Sequence, residues 1–234
     1  DNNTHPTEEM TVAGILAKSY NSGLVQIGNK ISDETRMDYM KKFGIGSPTG
    51  VELPAEAEGT LHPLPWAGRD HYTTMFGQAW TASTIQLAQM VSVFGNDGVR
   101  VPVHIIDSTI DADGTEHPTL VTENSERVVS SETAHSMLEM MQAVTDINST
   151  GWRAAVPGYN IAGKTGTAEV PDENGELTKR VGTFVGLVPA EDPQIAIAVT
   201  VYNATGAGYG GDVAAPVFKD TVSFAVRQLG IPPS

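Results

Sequence analysis

An antiparallel sheet covered by helices, the α+β class, is what this sequence predicts, and three observations carry it. Three apolar or alternating runs, 160–170, 180–188 and 194–203, follow one another near the C-terminus, joined by short turn-rich connections at 172–176 and 189–193. Helical patterns precede these runs and one more follows them. At 234 residues, 40% hydrophobic and 18% charged, the chain has the size and composition of one large globular domain with a substantial core.

Taken in order, residues 8–17 suit a helix and a second begins near Ser22, with Lys18-Ser19-Tyr20-Asn21 as a polar break between them. A third helix is expected at 33–43. Ser32 is its N-cap, Met37, Met40 and Phe43 recur at helical spacing, and Gly44 stops it. Residues 44–50 are turn-rich. Residues 54–80, rich in Pro, Gly and aromatics and without a period, read as an irregular excursion over the surface. Ser83 and Gln86 form a capping box opening a helix whose apolar stripe is Leu87, Met90, Val91 and Phe94. Asn96-Asp97-Gly98 marks a turn, and a strand pattern runs through 99–106. The acidic, broken stretch 107–126 suits a hairpin or loop, and 131–144 a helix. In the last helix, 215–229, Phe218, Val222, Ala225, Val226 and Leu229 share a face that would lie on the sheet.

Charge excludes some partners. Lys and Arg number 14 against 28 Asp and Glu, a net charge of −14. Nucleic acid and anionic lipid both demand clustered cations, so neither is expected to bind. There is no cysteine, hence no disulfide and no thiolate metal site. His5, His62, His71, His104, His117 and His135 are scattered without ligand spacing, so no metal or other cofactor is expected. Residues 1–10 are polar and acidic, unlike a signal peptide, and no apolar run reaches membrane-spanning length. Trp66, Tyr72, Phe76 and Trp80 crowd the irregular stretch, either as core and loop packing or as the wall of a groove.

Two segments carry chemistry. In Lys164-Thr165-Gly166-Thr167, a cation stands beside two hydroxyls on an apparent strand. Side chains alternate on a strand, so Thr165 and Thr167 share a face opposite to Lys164. Such a set can grip a carboxylate, and Gly166 leaves room for a ligand backbone. The plain alternative is a Thr-rich, half-exposed strand with one surface lysine. In the break after the first helix, Ser19 and Asn21 offer a hydroxyl able to relay a proton and an amide able to donate and accept. The plain alternative there is helix capping.

Together, a Ser-x-Asn triplet followed by Lys-Thr-Gly resembles the signature of penicillin-binding proteins. Ser83-Thr84-Ile85-Gln86-Leu87-Ala88 resembles the family's T-P-L-Q-L-A helix start, with Ser for its Thr and Thr for its Pro. Tyr209-Gly210-Gly211 through Phe218 resembles its Y-G-G-x-x-A-A-P-V-F approach to the last helix. The resemblance spans nearly the whole chain. It is nearest to the monofunctional, class B D,D-transpeptidases that build the cell wall, with their β-lactamase/transpeptidase-like fold.

The resemblance implies acyl transfer from a D-Ala-D-Ala stem peptide through a serine ester, with β-lactams as mimics. Ser19 would relay a proton, and Asn21 would bond the substrate's side-chain amide. Lys164 would supply positive potential for the terminal carboxylate and for nearby proton transfers. Thr165 and Thr167 would contact that carboxylate, Gly166 would lie against the ligand, and the Thr167 N–H would be half of the oxyanion hole. The nucleophile itself is missing: no Ser or Thr is followed three positions later by Lys. The family places that motif ahead of Ser-x-Asn by more than the 18 residues available here. Residues 1–234 are therefore expected to be the C-terminal part of an N-terminally truncated transpeptidase domain, inactive alone. The implied upstream part carries the nucleophile, a linker domain and an anchor on the extracytoplasmic face of the membrane, where other cell-wall synthesis proteins would be partners.

Other functions on the same fold remain open: a β-lactam-binding sensor, a non-catalytic ligand-binding domain, or a D,D-carboxypeptidase or β-lactamase. A Leu-Asn pair, part of the class A β-lactamase deacylation motif, does not occur. At Ala79 the family often has glycine. A left-handed backbone there would strain alanine by about 1 kcal/mol.

Overall fold

The computed structural model describes residues 7–119, 124–171, 173–204 and 208–234. His5 and much of the first ten residues lie outside the described residues, as do parts of the 107–126 and 172–176 connections.

The N-terminal helices are α1 (Val12–Lys18), α2 (Asn21–Gly28) and α3 (Asp33–Lys42). The first begins later than its pattern suggests, because the Thr11 hydroxyl accepts the Gly14 N–H and fixes the start there. Ser32 caps α3 as expected, and Gly44 leaves it with φ +91.

The irregular stretch contains more order than its composition suggests. Strand β1 (Thr60–Leu61) pairs with β2 (Trp80–Thr81), and between them lies α4 (Arg69–Thr73). Arg36 of α3 holds this excursion: its guanidinium bonds Thr74 Oγ1 and the His71 carbonyl, pairs with Asp33, and lies 5.1 Å over the Trp66 ring. Ala79, just before β2, takes φ 61. An L side chain is strained there, so Ala79→Gly should raise the unfolding free energy by about 1 kcal/mol in a urea titration. An unchanged or lower midpoint would show that the turn is not under strain.

Helix α5 (Thr84–Gly95) opens with the expected capping box, Ser83 and Gln86 bonding reciprocally. Its inner face is only partly apolar. Gln86 and Gln89 are buried beside Val91 and Val93. The Gln86 amide donates to the Ser47 and Glu58 carbonyls, and Gln89 to that of Val101. Both glutamines thus satisfy loops that have no ladder of their own.

After the Asn96-Asp97-Gly98 turn, the run 99–106 forms strand only at β3 (Val99–Arg100). Beyond it the chain is tied by single bonds to residues 49–52, as in Val103 N–H to the Thr49 carbonyl, not by a ladder. Strands β4 (Ser108–Ile110) and β5 (Glu116–Pro118) make the expected hairpin, and β6 (Glu126–Arg127) pairs with β3. Helix α6 is Ser131–Gln142.

The central sheet has the order β7 (Ala162–Val170), β8 (Lys179–Val188), β9 (Ile195–Tyr202), antiparallel throughout. Short α7 (Gly210–Val213) and α8 (Ala215–Gln228) follow. One face of the sheet carries α5 and α6, joined by Val91, Leu138, Met141, Ala162 and Leu187. On the other face α8 lays Phe218, Val222 and Val226 against Phe184 and Val188. The Phe184 and Phe218 rings meet at 4.7 Å. Leu229 departs from the expected face: the helix has ended at Gln228, and the residue is 67% exposed.

Candidate active site

The backbone break predicted between the first two helices exists for a physical reason. Ser19 closes α1 in the left-handed region, φ 55, its N–H donating to Ile15 and Leu16 carbonyls. Tyr20 is extended and Asn21 begins α2. Ser19 is strained by about 1 kcal/mol in this conformation. Its hydroxyl serves no helix end. It accepts from Lys164 Nζ at 2.8 Å, across 145 positions of sequence.

Strand β7 is an edge of the sheet, which is why its two faces can open into one cleft. Lys164 pairs with Val185 and lies on the α5 side, while Thr165 pairs with Phe184 on the α8 side. The expected alternation therefore holds. The long lysine stem then turns back along the edge: Nζ donates to the Thr165 carbonyl at 2.9 Å and comes within 3.5 Å of Thr165 Oγ1. Cation and hydroxyl meet although their Cβ atoms point apart.

The cleft has a volume of about 700 Å³. Ser19, Asn21, Lys164, Thr165, Gly166 and Thr167 all line it, so the two segments singled out for their chemistry reach one space. Leu24, Met75, Phe76, Trp80, Leu87 and Met90 supply apolar walls. The four aromatics of the irregular stretch accordingly divide. Phe76 and Trp80 face the cleft, Trp66 is buried with its indole N–H on the His62 carbonyl, and Tyr72 is exposed.

Burial holds the Lys164 ammonium well below the usual lysine range, at about 8. Its neighbours at the cleft floor are the Ser19 hydroxyl and the Thr165 carbonyl, dipoles that do not cancel the desolvation of a full charge.

The room beside Gly166 is filled from the next strand: a Cβ there would lie 2.3 Å from Thr183 Oγ1. A side chain at 166 would thus require the Thr183 hydroxyl to turn away. Thr167 Oγ1 accepts the Gly210 N–H at 3.1 Å, which leaves its own proton to donate. That contact exists because Tyr209-Gly210-Gly211 brings α7 directly onto the sheet. A Cβ on Gly210 would be 2.3 Å from the Gly166 and Thr183 carbonyls, and one on Gly211 2.1 Å from that of Thr150.

Thr150 was not singled out by sequence. It lies in a turn-rich stretch without periodicity, yet it lines the cleft and bonds both Ala17 and Thr165. Among the described residues no group of three or more His, Asp or Glu converges as a metal set. The histidines instead meet single aspartates, His71 with Asp33 and His135 with Asp97 among them. No helix of the described residues is long and apolar enough to cross a membrane.

A family model described as the penicillin binding protein transpeptidase domain matches residues 1–223. The penicillin-binding protein PbpB of Mycolicibacterium smegmatis is 34% identical over 97% of this chain and 37% of its own length. The "Probable peptidoglycan D,D-transpeptidase PenA" of Neisseria flavescens is 33% identical over 99% of this chain and 56% of its own. A crystal structure of penicillin-binding protein 3 of Mycobacterium tuberculosis, complexed with aztreonam, superposes with a TM-score of 0.88 at 32% identity. It is matched over 96% of this chain and 52% of that one. The chain thus spans between about a third and somewhat over half of these relatives. Motif order, fold and match agree: this chain belongs to the penicillin-binding protein transpeptidase domain family.

Proposed function

We propose that residues 1–234 are the C-terminal, substrate-holding part of a peptidoglycan D,D-transpeptidase domain. The observation that carries this reading is the Lys164 Nζ to Ser19 Oγ contact of 2.8 Å in a cleft also lined by Asn21, Thr165 and Thr167.

The roles follow from chemistry at named atoms. Lys164 and the hydroxyls of Thr165 and Thr167 receive the terminal carboxylate of a D-Ala-D-Ala peptide or of a β-lactam. The Asn21 amide bonds the peptide's side-chain amide. A serine from a Ser-x-x-Lys element outside these residues attacks the penultimate D-Ala carbonyl. Its Oγ–C bond forms, the C–N bond breaks, and the terminal D-Ala departs with the proton passed through Ser19. The Thr167 N–H and the nucleophile's own N–H hold the oxyanion. The amine of a second stem peptide then attacks the ester, the serine recovers its proton, and a cross-link remains. A lysine near 8 suits this work, because it changes charge at little cost near neutral pH. The apolar residues Leu24, Met75, Leu87 and Met90 line the same cleft as Lys164 and limit its access to water. Such an enzyme works on the extracytoplasmic face of the membrane, where its substrate lies.

The full-length protein should be labelled covalently by a fluorescent penicillin and keep the label for many minutes, whereas the 234-residue chain should not be labelled. Rapid turnover of penicillin by the full-length protein would favour hydrolysis over transpeptidation. Labelling of the chain alone would place a nucleophile within it.

A further inference from the structure

The segment 148–150 joins three parts of the site that the sequence keeps apart. Lys18 Nζ donates to the Asn148 carbonyl at 2.8 Å. Thr150 N–H and Thr150 Oγ1 both donate to the Ala17 carbonyl, at 3.2 and 2.9 Å, two residues before Ser19. Thr165 Oγ1 donates to Thr150 Oγ1 at 3.2 Å. The Thr150 carbonyl lies against Gly211, whose missing Cβ would stand 2.1 Å from it.

Proton counting makes Thr150 more than a bystander. Its single hydroxyl proton goes to Ala17, so toward Thr165 it can only accept. The Thr165 proton is therefore held on Thr150, and its lone pairs face Lys164 Nζ, 3.5 Å away. A ligand carboxylate must draw that proton off Thr150 to receive a hydrogen bond from Thr165. We propose that Thr150 is a positioning residue: its hydroxyl latches the Ser19 turn to the Lys164–Thr167 strand and orients Thr165 for exchange onto the ligand carboxylate. Ser19 sits in a strained conformation directly after α1, and the bonds at Ala17 and Lys18 tie the chain just ahead of it.

The inference rests on the transpeptidase reading for its kinetic part only. In the full-length protein, Thr150→Val should slow labelling by fluorescent penicillin about tenfold to a hundredfold, while Thr150→Ser stays within about twofold of wild type. In the 234-residue chain, a 15Nζ titration should find Lys164 near 8 in the wild type and in Thr150→Ser. In Thr150→Val and Thr150→Ala it should move up toward the ordinary lysine value, as the turn loosens and water reaches the ammonium. An unshifted Lys164 in both hydroxyl-free variants overturns the latch, whatever the labelling shows. Equal slowing by Ser and Val also overturns it, because serine keeps the hydroxyl to which the latch is assigned. If the wild-type protein takes no label, the transpeptidase reading fails, and the titration still decides the role of Thr150.

Discussion

Lys164→Met in the full-length protein is expected to lower the rate of acylation by penicillin by about a hundredfold or more, with the fold retained. The loss of one preorganised donor of this kind typically costs two to three orders of magnitude. Lys164 touches both Ser19 Oγ and the Thr165 carbonyl, so its removal empties the centre of the cleft floor of charge. Stability should respond in the opposite sense. The folded-state value for Lys164 is about 8, below its ordinary 10.5. Between these pH values the unfolded chain binds more protons, so the folded state gains stability as the pH rises. Over that window the wild type should gain about 3 kcal/mol relative to Lys164→Met, with no further gain beyond it. Parallel stability curves for the two proteins from pH 8 to 10.5 would mean that the ammonium is solvated. A protein that acylates well without Lys164 would remove the lysine from the chemistry. On the proposed role, this largely desolvated cation is a stability cost retained for its chemistry.

Gly210→Ala should destabilise the chain by about 3 kcal/mol or more, among the largest effects open to a single added methyl group. The new Cβ would stand 2.3 Å from the Gly166 and Thr183 carbonyls. Both belong to adjacent strands of the β7–β8 ladder, which cannot yield without breaking sheet hydrogen bonds. Displacement of α7 would also withdraw the Gly210 N–H from Thr167 Oγ1, so labelling should fall along with stability. Gly114→Ala is the control. Unlike Gly210 it has positive φ, +91, but its Cβ would meet nothing within 4 Å, and it should cost only the backbone strain of about 1 kcal/mol. Equal costs in urea unfolding would show that close approach to the sheet is not why α7 begins with glycines.

The legible parts of this protein were those where sequence neighbours carry the signal. The three strands of the sheet, the capping box at Ser83 and the Ser32 cap are local patterns, and each element appears within a few residues of its pattern. The break at Ser19 was legible as a break, though its left-handed backbone was not. The apolar stripe of α5 was incomplete, because Gln86 and Gln89 are buried to satisfy loop carbonyls far away in sequence. Periodicity cannot register a polar side chain whose partner is a loop. The strand expected through 99–106 shortened to two residues for a related reason: single tethers to residues 49–52 replaced a partner strand. In the site, the motif residues could be listed from sequence, but their convergence could not. Lys164 and Thr165 point to opposite faces of β7, and only the edge position of that strand and the bend of the lysine stem bring them together. Thr150 gave no signal at all, since one threonine in a turn looks like any other.

Mass-spectrometric mapping of the residue acylated when the full-length protein reacts with penicillin tests the division of labour most directly. The ester should lie on a serine followed three positions later by lysine, outside residues 1–234, and the acyl carboxylate should cross-link or contact the Lys164–Thr167 strand. An ester on Ser19, or on any other hydroxyl of these 234 residues, would contradict a cleft that holds the substrate while another segment supplies the nucleophile.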